Sequence, residues 1–130
     1  MDSNESKLII YIEDDPEMVE LVSMILSRHG YRVLGANDGL TGLELIIEEN
    51  PDLILLDLMI PDMDGWDVYK QLVANETTRS VPVIVITAKS QPIDRVLGLH
   101  IAKVDDYIRK PFHPQELLES IERVFKVSKS

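Results

Sequence analysis

Acids, a hydroxyl and a lysine punctuate the ends of four apolar runs in this chain. Glu13, Asp14 and Asp15 follow LIIYI at residues 8–12, and Asp57 closes DLILLD at residues 52–57. Thr87 and Ala88 end VPVIVIT, and Lys110 follows DYIR. If these runs lie parallel and side by side, all of these groups converge on one edge. Two carboxylates about 5 Å apart repel by roughly 3 kcal/mol at an effective dielectric near 20. A hard divalent cation offsets such crowding, and carboxylates with water suit Mg2+. Lys110 is the other source of positive charge. A carboxylate can attack a phosphoryl group and form an acyl phosphate. A metal and a lysine neutralise the phosphoryl oxygens, and the Thr87 hydroxyl and Ala88 N–H can hold what remains.

The elements that must position these groups alternate. Strands are predicted over Lys7–Ile12, Tyr31–Ala36, Asp52–Asp57, Val81–Thr87 and Asp106–Arg109. Asp15-Pro16 reads as cap and first turn of a helix with Met18, Leu21, Val22, Ile25 and Leu26 at helical spacing, stopped by His29-Gly30. A second helix is predicted over Asp38–Glu49, ended by Asn50-Pro51. The third runs from about Gly65 to Ala74 with Trp66, Tyr69, Leu72 and Val73 inward. The fourth starts at Pro92 and carries Ile93, Val96, Leu97 and Ile101; the last starts at Pro114 with Leu117, Leu118, Ile121, Val124 and Phe125. Continuous apolar runs such as LILL read as strands buried on both faces. Five strands alternating with five helices imply an α/β fold with a doubly wound parallel sheet, and right-handed crossovers leave few topologies; the expected one is the flavodoxin-like (βα)5 order 2-1-3-4-5, which makes strands one, three, four and five neighbours with the site past their carboxyl ends.

At 130 residues the chain fits one domain, expected over residues 7–127, with residues 1–6 and 128–130 as polar tails. No cysteine is present, which excludes disulfides and thiolate metal sites and fits a cytoplasmic setting. The net charge of −10 repels nucleic-acid backbones, so direct nucleic-acid binding by this chain is not expected. The apolar runs are too short to span a membrane. His29, His100 and His113 are scattered, which argues against a histidine metal cluster.

Four motifs in order carry a resemblance: Ile12-Glu13-Asp14-Asp15; Leu56-Asp57 through Asp64-Gly65; Ile86-Thr87-Ala88; and Asp106-Tyr107-Ile108-Arg109-Lys110-Pro111-Phe112. Over nearly its whole length the chain resembles the receiver domain of two-component response regulators. The resemblance implies that Asp57 is the phospho-acceptor, supplied by a sensor histidine kinase or phosphotransfer protein. It implies Mg2+ on Asp14, on Asp57, on the Met59 carbonyl and, through water, on Glu13. Thr87 and Ala88 would bind the phosphoryl group, Lys110 would pair with it, and Tyr107 would turn inward as Thr87 moves. The Lys110-Pro111 bond is typically cis in the family. Such a protein catalyses only its own phosphorylation and dephosphorylation. With the apolar Met59 two residues past Asp57, slow self-dephosphorylation is expected.

Two features depart from the family pattern. Ala102-Lys103-Val104-Asp105-Asp106-Tyr107 lacks the frequent glycine and carries one extra residue after Gly98, which changes the end of helix four. The run Asp94–Leu99 resembles the subgroup that dimerises through helix four, strand five and helix five, with Arg95, Asp106, Arg109 and Glu116 available. Ser120 stands where a basic residue is often found, so one ion pair of that interface is expected to be missing. Three rival readings weigh less. A phosphatase of the haloacid-dehalogenase type wants a second acid where Met59 stands. A degenerate binding scaffold would have lost Asp57, Thr87 or Lys110. A nucleotide-binding protein of this topology needs a glycine-rich first loop, not Glu-Asp-Asp-Pro.

Overall fold

The computed structural model describes residues 7–89 and 91–128; the predicted tail over residues 1–6 lies outside them. Its elements are β1 (Leu8–Ile12), α1 (Pro16–Ser27), β2 (Arg32–Ala36), α2 (Gly39–Glu49), β3 (Leu53–Leu56), α3 (Gly65–Ala74), β4 (Val83–Thr87), α4 (Pro92–Val96), β5 (Asp106–Arg109) and α5 (Pro114–Ser128). All strand pairings are parallel, in the order β2-β1-β3-β4-β5. Alternate strand residues face opposite layers because side chains switch sides along a strand. Ile9, Tyr11, Leu53, Leu55, Ile84 and Ile86 pack with Val22 and Leu26 of α1 and Leu117, Ile121 and Phe125 of α5. Ile10, Ile12, Ile54, Leu56, Val83 and Val85 pack with Leu43 and Ile46 of α2 and Val68 and Leu72 of α3. The central strands β1, β3 and β4 are therefore buried on both faces, which is why these runs lack polar alternation.

Aspartates start three of the helices. Asp15, Asp38 and Asp64 accept from the backbone N–H of Glu17, Thr41 and Trp66 at 3.0, 2.7 and 2.9 Å, satisfying donors that the first helical turn leaves free. After α1 the chain reverses at Gly30, whose φ of 88° is the left-handed conformation that glycine adopts without strain.

Several sequence expectations need correction. β3 stops short of its flanking acids, and β4 begins at Val83 rather than Val81 because Pro82 has no N–H to give a ladder. Val73 is exposed, not inward. α5 continues through Ser128, so Ser128 is helical rather than part of a tail.

The largest difference is the fourth helix. α4 lasts five residues and gives way to a π turn over Leu97–Ala102. Ile93, Val96, Leu97 and Ile101 are all exposed, Ile101 by 70 %. A π turn absorbs an extra residue within a helix, and it lies where the extra residue was placed. The segment is anchored instead through the partly buried Leu99 and the buried Val104. Lys103, with φ 64°, takes the left-handed turn where the family often has glycine.

Candidate functional site

The parallel register brings the strand ends into line. Ile12 pairs with Leu56, Leu56 with Val85, and Thr87 with Arg109. Glu13 and Asp57 therefore follow neighbouring strands, and the Lys110 N–H donates to the Thr87 carbonyl at 2.9 Å. Carboxylate oxygens of Glu13, Asp14 and Asp57 lie within 4.8 Å of one another. Glu13 and Asp57 are buried; Asp14 opens to solvent. Asp15 is not part of this group, because its side chain caps α1.

Lys110 joins two of the acids. Its Nζ donates to Glu13 Oε1 and to Asp57 Oδ2, the latter at 2.9 Å. It precedes the cis Lys110-Pro111 peptide bond that the resemblance implies. The other Asp57 oxygen, Oδ1, accepts from the Met59 N–H at 2.9 Å. Glu13 Oε2 accepts from the Asp15 N–H at 3.1 Å, and Glu13 Oε1 also accepts from the Tyr11 hydroxyl at 3.1 Å.

Three carboxylates against one ammonium leave the site with surplus negative charge. Burial pushes the Glu13 carboxyl above its ordinary value; Asp57 adds to this, and the Lys110 hydrogen bond opposes it. Burial works against the Lys110 ammonium, but its bonds to Glu13 and Asp57 outweigh that and raise its pKa. The Tyr11 phenol is raised by burial and then by Glu13, so it remains a donor. The donor set is all oxygen and net negative, which fits a hard divalent cation rather than a soft one.

Thr87 is fully buried, and its Oγ1 accepts from the Lys89 N–H at 3.3 Å. Ala88 beside it is exposed. Tyr107 already points inward: its hydroxyl donates to the Lys89 carbonyl at 3.1 Å, and burial raises its pKa to about 12. The Met59 side chain is exposed, and its backbone forms an isolated bridge with Asp64.

Two contributors escaped the sequence reading. Tyr11 looked like one more strand residue; its spacing of two from Glu13, which puts both on one sheet face, was the available signal. Asp62, within a loop of no assigned role, accepts from the N–H groups of Gly39 and Leu40 at 2.7 and 2.9 Å. These bonds hold its carboxyl below the usual range. They tie the loop after β3 to the start of α2.

Gly65 closes that loop against the site. A Cβ there would lie 2.4 Å from Leu58 Cα and 2.8 Å from the Asp57 carbonyl oxygen, both backbone atoms that cannot swing away. Gly65→Ala is expected to lower stability by about 1–3 kcal/mol, the usual range for overpacking. Urea denaturation checks it; an unchanged midpoint would refute the close-approach argument.

The fold and this cluster define an α/β module with an acidic group at the carboxyl edge of its parallel sheet. Residues 9–122 match the profile of the response regulator receiver domain. The chain belongs to that family. It is 40 % identical over 118 residues to the DNA-binding dual master transcriptional regulator RpaA of Synechocystis, covering 91 % of this chain and 48 % of that protein. It is 38 % identical to the alkaline phosphatase synthesis transcriptional regulatory protein PhoP of Bacillus subtilis, covering 95 % and 50 %. The chain thus spans about half the length of these curated relatives. Among solved structures, a CheY-like response regulator receiver domain protein from Methanospirillum hungatei superposes with a TM-score of 0.85 at 30 % identity, covering 96 % of this chain and 98 % of that one.

Proposed function

We propose that Asp57 accepts a phosphoryl group from a histidine kinase or phosphotransfer protein, and that the α4–β5–α5 surface changes in response. The observation that carries this is the hydrogen bonding of Asp57: Oδ2 meets Lys110, Oδ1 meets the Met59 N–H, and Glu13 and Asp14 stand within 4.8 Å. An Asp57 carboxylate oxygen attacks phosphorus, the P–N bond to the donor histidine breaks, and its electron pair returns to the imidazole nitrogen. Lys110 and the Thr87 hydroxyl are the groups of this chain at hand for the phosphoryl oxygens, with the Ala88 N–H beside them. Mg2+, when bound, would be held by Asp14, Asp57, the Met59 carbonyl and Glu13 through water, and would neutralise charge on the transferring group. Tyr107, tied through the Lys89 carbonyl to the loop that follows Thr87, is the reporter of that loop's position. Its catalysis is confined to its own phosphorylation and dephosphorylation. The setting is the cytoplasm, where kinases present phosphohistidine; among the described residues no helix is long and apolar enough to cross a membrane.

Incubation with acetyl phosphate and Mg2+, followed by intact-mass measurement, tests the proposal. A gain of one phosphoryl group that chelation abolishes supports it. No gain with any small donor, with or without metal, would leave a binding scaffold as the better description.

A second copy is the proposed partner for the α4–β5–α5 face. Arg95, Arg109 and Glu116 are exposed there. Two of the four candidates for this face are engaged within the molecule: Arg95 donates to the Tyr107 carbonyl at 2.6 Å, and Asp106 accepts from Arg123 at 2.7 Å and from Ser120 Oγ at 2.5 Å. Arg123, three residues past Ser120 on α5, thus pairs with Asp106 inside the molecule. Any intermolecular use of Asp106 must compete with it, so dimerisation is expected only on activation. Sedimentation with and without a beryllofluoride phosphate mimic checks this; a monomer in both states would sink it.

A further inference from the structure

We propose that Tyr11 is a positioning residue for Glu13, holding that carboxylate in its metal-facing orientation both before and after Lys110 turns to the phosphoryl group. The inference rests on the phospho-acceptor reading above and extends it to a residue that touches neither metal nor phosphoryl group. The Tyr11 ring is fully buried between the sheet and α1 and α5, so packing fixes where its hydroxyl lies. Phenylalanine would fill the same space. The hydroxyl adds a buried donor that needs a partner, and it meets Glu13 Oε1 at 3.1 Å.

That oxygen is shared. Lys110 Nζ also donates to Glu13 Oε1, while reaching Asp57 Oδ2 at 2.9 Å. Once Asp57 carries a phosphoryl group, the ammonium is drawn to the new negative oxygens, and Glu13 Oε1 loses its charged donor. Tyr11 then remains on Oε1, as the Asp15 N–H remains on Oε2 at 3.1 Å. Both oxygens stay held, and the carboxylate cannot rotate away from Asp14. Partners that orient a ligand in this way typically contribute 10–100-fold to metal affinity.

The test is Mg2+ titration of wild type and Tyr11→Phe by calorimetry, with Tyr69→Phe as control, since the Tyr69 hydroxyl donates to the Ala102 carbonyl instead. Tyr11→Phe is expected to bind Mg2+ about tenfold more weakly, with Tyr69→Phe unchanged. Equal affinity in Tyr11→Phe and wild type would overturn the role of Tyr11 and leave the acceptor reading standing. Absence of Mg2+ binding by the wild type would overturn that reading, and this inference with it. Should Tyr11→Phe not fold, the wild type decides: the Tyr11 Cζ resonance, labelled with carbon-13, should move with the same midpoint as Mg2+ binding. A resonance indifferent to Mg2+ would refute the proposal.

Discussion

Asp57→Asn is expected to fold normally and to take up no phosphoryl group from acetyl phosphate, whatever the Mg2+ concentration. The amide keeps a carbonyl oxygen, so the bond from the Met59 N–H, 2.9 Å in the native protein, can persist and the loop after β3 stays placed. The nucleophile is gone, because a neutral amide oxygen does not displace a leaving group from phosphorus at neutral pH as a carboxylate does. Stability is set by two opposing changes. Lys110 loses one of its two acceptors, while Glu13 and Asp14 lose a negative neighbour within 4.8 Å. The net change is expected within about 1 kcal/mol, a few degrees in melting temperature for a chain of this size. Intact mass and thermal melting check both halves. A phosphoryl group retained by the variant would move the acceptor to another residue.

Lys110→Met should show the largest loss of stability, about 3 kcal/mol in Mg2+-free buffer near neutral pH. Removing one partner of a buried ion pair typically costs about 3–5 kcal/mol, because the other charge is left without compensation. The lower end applies because the Lys110 side chain is 17 % exposed and the exposed Asp14 opens the cluster to water. The loss should depend on pH with a definite sign. Glu13 already titrates above its ordinary value in the fold, chiefly through burial. Without Lys110 it rises further, so the native state binds more protons than the unfolded chain in the window above the ordinary glutamate value of 4.5. Stability then falls as pH rises through that window. The variant should be closest to wild type near pH 5 and furthest from it near pH 8. Mg2+ should narrow the gap, since ligands that bind only the folded state stabilise it. Urea denaturation at both pH values, with and without Mg2+, checks this; a gap that does not vary with pH would show that Lys110 acts by packing alone.

Most of the fold was legible because its central strands are buried on both faces. LIIYI, LILL and VIVIT have no polar face to confuse with a helix, and the acids and glycines beside them mark where each run stops. The site was legible for the same reason: a parallel sheet sends every carboxyl end to one edge, so Glu13, Asp57, Thr87 and Lys110 could be brought together from order alone. The fourth helix was not. Ile93, Val96, Leu97 and Ile101 have helical spacing, and spacing says which residues share a face but not whether anything covers it. The short α4 and its π turn leave them outside. Tyr11 was missed because an aromatic in a strand is the usual core residue. Only the partner of its hydroxyl separates it from one. Asp62 was missed because its acceptor role depends on where α2 begins in space, 22 and 23 residues away in sequence.

The loop after β3 is fastened on three sides: Met59 to Asp64 by a backbone bridge, Gly65 to the Leu58 carbonyl, and Asp62 to the start of α2. A segment so fastened has already surrendered its conformational freedom during folding. If Asp57 takes a phosphoryl group as proposed, this loop has little disorder left to lose, and the entropy charged to ordering it at the moment of encounter is small. On the proposed reading, rearrangement then falls to the other half of the site, where Thr87 at the end of β4 and Tyr107 in β5 both hydrogen-bond to the Lys89 backbone between them.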